Sequence, residues 1–437
     1  MPRSNATGYW DVSDLGSTPL YAAALPGEEV AATGQEREIL RGLAQEVARL
    51  SRRPREKELR DLWRRHNGLK ATRPLIVCDP ENGWNEIIQE NQLQCTSRLA
   101  KHWEMALRKD VYWGERILDD RPIEPVFRIG YSCTDSGFGV EERYIQKEKG
   151  GSYTWVPAIR QRRDLEKLRL QRLEVDRETT RRAVELAREI FGDLLDVQTT
   201  GVWWWSLGMT TDLVVLRGME QVMIDMVDEL SFVHELMEFL TENTLSKLDF
   251  LEANGLLSLN IDTYLPPGGF GYTGELPAED FSGRVRTADM WGFAESQESV
   301  GVSPEMFAQF IFPCQVKVLR RFGLASYGCC EPLERRWEIV RQIPRLRKVS
   351  VSCFADLELM AGQLKDEFCF CMKPHPADLA RPVLDRDEVR RKLRRAFEAT
   401  RGCRVEVLMQ DTHTIGGNPE NVTDWVRIAR EESRRLE

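Results

Sequence analysis

Two adjacent cysteines and a carboxylate carry the strongest chemical signal in this chain. Leu324, Ala325, Ser326 and Tyr327 run as an apolar approach into Gly328, Cys329, Cys330 and Glu331, and Pro332 follows at once. The pattern predicts a buried strand whose carboxyl end opens into a loop, with Pro332 near the first turn of a helix over 333–342. Chemistry collects at that end of the strand in parallel α/β folds. Thiolate and carboxylate together can bind a metal ion, so Cys329, Cys330 and Glu331 are candidate ligands. Along a regular strand Tyr327 and Cys329 share one face, Gly328 and Cys330 the other. A bend at the open end would turn Cys330 inward, so either sulfur is a candidate. Buried cysteines also serve as small apolar side chains, which is the packing alternative.

Other strand ends add polar groups. His413 lies just past the last expected strand, among Asp411, Thr412 and Thr414, where ligation or acid–base work is expected. His375 follows Lys373 and Pro374 after another strand. Cys369, Cys371 and Lys373 alternate onto one face, so Lys373 is expected to reach the site with Cys371 packed below it. Glu295, Gln297 and Glu298 follow a further strand, and a carboxylate there serves as ligand or general base. Glu298, His413 and Lys373 are the candidate catalytic groups, and Asp135, Trp205, Tyr327 and Gln297 the candidate substrate contacts. Among Trp203, Trp204 and Trp205 most of the mass is expected in the core, with one ring free to stack on a flat or quaternary-ammonium ligand.

These groups need a scaffold, and alternating elements supply one. Residues 74–78 are a short apolar run ended by a turn at 79–83, and expected strands recur at 125–131, 201–206, 256–261, 288–293, 324–327, 348–353, 368–372 and 404–409. Helical spacing fills the gaps, as at 95–109, 178–191, 223–254, 356–364, 387–400 and 419–436. Roughly eight βα units from residue 74 onward predict a closed (β/α)8 TIM barrel, with a doubly wound open sheet as second choice. Residues 1–70 read as an irregular arm followed by one or two helices broken near Pro54, and 71–437 as the barrel. Residues 145–163 read as an exposed insertion, and the Gly/Pro-rich loop at 266–272 is long enough to act as a lid. No Gly-x-Gly-x-x-Gly follows the first strand, so no nucleotide cofactor is expected.

Composition narrows the class. The 437 residues are 42% hydrophobic and 30% charged, which suits a globular chain. A net charge of −9 argues against a nucleic-acid binder. No apolar run approaches the ~20 residues a membrane span needs, and the first residues lack the apolar core of a signal peptide. Ten cysteines without a regular framework suit reduced thiols, and the expectation is a cytoplasmic protein.

From about residue 170 onward the layout resembles the uroporphyrinogen decarboxylase superfamily. Ser303, Pro304, Glu305, Met306 and Phe307, with Phe310 and Pro313, resemble the helix before its central strand. Tyr327 to Glu331 falls where many members have His-x-Cys-Gly-Asn. Gly417, Asn418, Pro419, Glu420, Asn421 and Val422 resemble the Thr-Pro-x-x-Asn start of the last helix. The Arg-Gln-Ala-Gly-Arg motif of the tetrapyrrole decarboxylases is missing, which removes the charge partners of a carboxylate-rich substrate. The likeness is to the corrinoid-dependent methyltransferase branch, where His-x-Cys and a later Cys hold zinc. Tyr327 stands where that histidine is expected, and the late cysteine is replaced near Thr412 and His413. The ligand set the resemblance then implies is Cys329 or Cys330, His413, and either a carboxylate, with Glu331 adjacent, or His375.

The resulting expectation is a zinc-assisted methyltransferase. It moves a methyl group between a small methylated substrate and a corrinoid (cobalamin) protein or a thiol. A cofactor-free decarboxylase or lyase on Lys373, His413 and Glu298 is the alternative, and a non-catalytic corrinoid- or small-molecule-binding barrel the third. The superfamily and the helical extension are both compatible with a homodimer.

Overall fold

The computed structural model describes residues 29–146, 153–201, 204–265 and 269–436. Most of the expected arm, the middle of the insertion, Trp203 and the first part of the lid-like loop lie outside the described residues.

In chain order the strands are β1 (Leu75–Cys78), β2 (Val126–Gly130), β3 (Ser132–Asp135), β4 (Arg143–Gln146), β5 (Tyr153–Val156) and β6 (Leu173–Asp176). They continue with β7 (Asp196–Thr200), β8 (Trp291–Ala294), β9 (Leu324–Tyr327), β10 (Leu346–Val351), β11 (Cys369–Met372) and β12 (Arg404–Met409). One six-stranded sheet has the order β1-β12-β11-β10-β9-β8, and every pairing in it is parallel. Strands β2 and β7 form a separate parallel pair. The antiparallel pair β4–β5 overlaps the expected insertion and begins two residues before it, and β3–β6 is a second such pair. β1, β8, β9 and β11 are buried at every position, as expected where helices cover both faces of a parallel sheet.

The fold is therefore α/β, and among the described residues no strand ladder joins the β2–β7 pair to the six-stranded sheet. At the two outer strands of the sheet, β1 and β8, side chains and loop backbone take up edge groups. Beside β1, Asp120 accepts from the Ile76 N–H at 2.8 Å and Asp119 from the Cys78 N–H at 2.8 Å. Beside β8, the expected strand at 256–261 is not a strand. Asn260 takes its place, donating to Trp291 O at 3.0 Å and accepting from the Trp291 N–H at 2.9 Å. The amide side chain satisfies the strand-edge groups that a neighbouring backbone otherwise would.

Helix Gly34–Ser51 starts from a capping box between Thr33 and Glu36, and Pro54 opens the next helix, Pro54–Asn67. This second helix runs under the amino ends of the sheet. Cys369 Sγ lies 3.5 Å from His66 O, and Arg404 Nε donates to Leu69 O at 2.8 Å. The expected single helix at 223–254 is two, Met219–Asp228 and Leu230–Ala253. Among the described residues no helix is long and apolar enough to cross a membrane.

Candidate functional site

The carboxyl ends of β9, β11, β12 and β1 bring thiols, an ammonium and carboxylates together. Strand β9 stops at Tyr327, and Gly328 then turns the chain at φ +92°. A Cβ at Gly328 would stand 2.7 Å from Leu333 Cδ1, so glycine serves both the turn and the packing. Past this bend the strand rule of opposite faces no longer applies, and the Cys329 and Cys330 sulfurs lie 3.7 Å apart. Cys329 is buried and Cys330 half-buried. Two serines of the neighbouring strand fix the bend: Ser350 Oγ donates to Cys329 O at 3.0 Å, and Ser352 Oγ to Cys330 O at 2.8 Å.

Glu331 closes the loop from below. It is buried, and its two oxygens accept from the Cys329 N–H and the Ser296 N–H, both at 2.8 Å. Its carboxyl is raised by burial, with these amides pulling the other way. Glu331 thus positions the cysteine loop rather than facing the open side.

Lys373 continues the alternation of Cys369 and Cys371 beyond β11. Its Nζ lies 3.2 Å from Cys329 Sγ and 3.4 Å from Asp411 Oδ2. Asp411 also stands 3.8 Å from Cys330 Sγ. Burial alone would lower the lysine, but Cys329, Asp411 and Cys330 outweigh it and hold Lys373 above its ordinary value, as an ammonium. The Cys329 thiol is pushed up by its contact with Cys330 and by burial, while Lys373 pulls it down. The resting pair is therefore an ammonium beside a thiol, with a cation in place to stabilise the thiolate once the proton leaves.

Glu81, on the turn after β1, accepts from the Thr412 N–H at 3.1 Å. Burial and the nearby charges of Asp79 and Asp411 push its carboxyl up to about 8, against the pull of Lys373. Glu81 and Asp411 both hold left-handed backbones, at φ +46° and +62°. Leu69, Leu118, Met209, Arg345 and Lys365 also take a positive φ elsewhere, so here it marks tight strand-end turns. Neither residue was an expected site group. Both come from strand-end turns, and an acidic turn after the first strand was the one visible signal.

Other expected residues fall elsewhere. His413 is exposed, with Nδ1 3.4 Å from Asn82 Nδ2. His375 is exposed, and its Nδ1 accepts from the Ala377 N–H at 3.2 Å. Tyr327 is fully buried against the helix layer, donating its hydroxyl to Gln315 Oε1 at 2.7 Å. Glu298 accepts the Thr210 and Thr211 hydroxyls, each at 2.7 Å, and so secures the start of helix Thr210–Arg217. Gln297 is half-buried, and its N–H donates to Glu295 Oε2 at 2.8 Å. Trp205 packs edge-on against Phe293 at 5.6 Å. Asp135 sits on β3, outside the six-stranded sheet, and pairs with Lys247 at 2.8 Å.

The zinc set implied by the resemblance does not assemble from these positions. Among the described residues no three His, Cys, Asp or Glu side chains are placed to hold a metal ion. The Lys373 ammonium lies between Cys329 and Asp411, both histidines are exposed and bonded to Asn82 and Ala377, and Glu331 is committed to backbone amides. The residues present do not fit that ion.

No family model matches the chain, and no curated protein matches it. Among solved structures, a methyltransferase from Methanosarcina mazei overlays with a TM-score of 0.48 at 12% identity, covering 85% of this chain and 98% of that one. A likeness at that level decides nothing about the chemistry.

Proposed function

We propose that this chain is a methyltransferase that takes a methyl group from a small methylated substrate at the Cys329–Lys373 pair. The observation that carries the reading is the 3.2 Å contact between the Lys373 ammonium and the Cys329 sulfur. Transfer of a methyl group is a displacement at carbon, which a soft, cation-stabilised thiolate performs well. Cys329 gives up its proton to solvent, and the thiolate beside Lys373 attacks the methyl carbon; the sulfur–carbon bond forms as the bond to the donor breaks, and the leaving group keeps the electron pair. Lys373 supplies the fixed positive charge that the resemblance assigns to zinc. Glu81, holding its proton to about pH 8, donates it to the leaving group. A partner protein's corrinoid would supply the acceptor to which the methyl group passes.

The test is a panel of methylated amines, thioethers and methoxy compounds, with methylation of Cys329 read by peptide mass. Because the Cys329 thiol is raised and Glu81 keeps its proton only to about pH 8, the methylation rate should climb with pH from neutrality and turn over near pH 8. Cys329→Ser should abolish it, a loss of about 100-fold or more. A Cys329→Ser protein that still demethylates a donor at the native rate overturns the reading.

The raised Glu81 carboxyl favours a second reading, a cofactor-free lyase or decarboxylase. There Lys373 holds a substrate carboxylate and Glu81 protonates the carbanion left behind. Glu81→Gln would then abolish turnover while Cys329→Ser spared it, the reverse of what methyl transfer demands.

A further inference from the structure

We infer that Cys329 and Cys330 form a redox-modification site that closes into a vicinal disulfide when a small-molecule disulfide is the oxidant. The inference rests on the placement of the two thiols and not on the methyl-transfer reading, which enters only through its consequence. Adjacent cysteines in a strand point to opposite faces and cannot meet. Here the strand has already ended and Gly328 has turned the chain, so the two sulfurs stand 3.7 Å apart on one side. Serines bound to both carbonyls hold the two residues in this arrangement.

The two thiols differ in the way that thiol–disulfide exchange requires. Cys330 is half-buried and open to a small reagent, whereas Cys329 is buried against Lys373. In the first step Cys330 Sγ attacks one sulfur of the oxidant, forming a mixed disulfide and releasing one thiol, which takes the Cys330 proton. In the second step Cys329 Sγ, its anion stabilised by Lys373, attacks Cys330 Sγ. The sulfur–sulfur bond between the neighbours forms, and the second small thiol leaves with the electron pair and takes up the Cys329 proton. Both cysteines are oxidised, the small disulfide is reduced to two thiols, and the atoms balance. Under the proposed function the closed form lacks its nucleophile, so oxidation switches the site off.

The experiment exposes the reduced full-length protein to oxidised glutathione and follows it by intact mass and peptide mapping. The expected product is a peptide with an internal Cys329–Cys330 disulfide, lighter by two hydrogens and restored by dithiothreitol. It should form equally in a Cys353→Ala variant, which removes the other half-buried cysteine of the neighbouring strand end. Lys373→Met should slow closure about tenfold by withdrawing the charge that stabilises the attacking thiolate, and Cys330→Ser should prevent it. A stable glutathione adduct on Cys330, a bond from either residue to Cys353, or two thiols that stay alkylatable would each overturn the inference. Closure without any methyl transfer leaves this inference standing and defeats the proposed function. Methyl transfer without closure does the opposite.

Discussion

The sheet holds two lysine–carboxylate–cysteine clusters, one above the other, and they differ in depth rather than in residue type. In the lower one Lys348 Nζ pairs with Glu406 Oε2 at 2.8 Å, Cys371 Sγ lies 2.8 Å from Glu406 Oε1, and His66 Nε2 stands 3.0 Å from Glu406. The rings of Trp63 and Trp291 flank the Lys348 ammonium at 5.1 and 5.9 Å. In the upper one Lys373 faces Cys329 and Asp411 at the strand ends. Both lower side chains are 0% exposed, whereas Asp411 is 42% exposed beside a Lys373 that is 4% exposed. Charges sealed in the interior survive only as a fully paired set, so the lower cluster is a structural lock between helix Pro54–Asn67 and the sheet. The upper cluster keeps one side open to water, where a substrate can replace solvent.

The sharpest way to break this contrast is to remove the shared acceptor of the lower cluster. Glu406→Gln leaves the Lys348 charge buried without its counter-ion, which costs about 3–5 kcal/mol. A urea melt should show a large drop in midpoint. A loss below about 1 kcal/mol would mean that the buried set is not what ties the helical extension to the sheet.

The pH dependence gives a second, smaller handle on the lower cluster. Burial pulls His66 down, but Cys369 and Glu406 beside it reverse the shift and raise it from 6.5 to about 9. A folded-state value above the unfolded one means that the stabilisation is complete below about pH 6.5 and is lost as pH rises through 9. Glu406 has the opposite sign: despite its burial, Lys348 and His66 depress it, so its contribution fades as pH falls. Stability should therefore decline between neutrality and pH 9 in the native chain and decline less steeply in His66→Asn, where the remaining fall toward pH 8 belongs to the raised Glu81 carboxyl. A matching decline in the variant would assign the effect to another group.

How far each cluster was legible follows from what a sequence encodes locally. The alternation Cys369, Cys371, Lys373 placed a lysine at the strand end, and residues 404–409 were readable as β12 from their apolar alternation. Pro54 marked the break between the first two helices. Asp411 and Glu81 escaped notice because their role depends on which strands are neighbours: β12 lies between β1 and β11, a fact of topology rather than of spacing. The lower cluster escaped for the same reason, since its members come from a helix and three strands. Strand β7, Asp196–Thr200, was missed because its residues are largely polar, and the expected strand shifted onto the tryptophans that follow. Tyr327 and Cys329 were expected on one face, and that held only while the strand continued; Gly328 ended it.

The smallest expected effect sharpens the comparison most. Lys373→Met removes the buried ammonium of the upper cluster, as Lys348→Met would remove that of the lower. The partner left behind is Asp411, which is already 42% exposed and can be hydrated without moving the sheet. Its loss should therefore cost about 1 kcal/mol or less in urea, near the scale of an exposed pair. The same substitution should slow alkylation of Cys329 by iodoacetamide, because the thiolate loses the charge 3.2 Å from its sulfur. Stability and reactivity would then separate at Lys373, where at Lys348 only stability is at stake. If Lys373→Met instead unfolds the protein as readily as the lower substitution and leaves the thiol's reactivity unchanged, the upper cluster is a second lock, and the strand-end site loses the observation on which its chemistry rests.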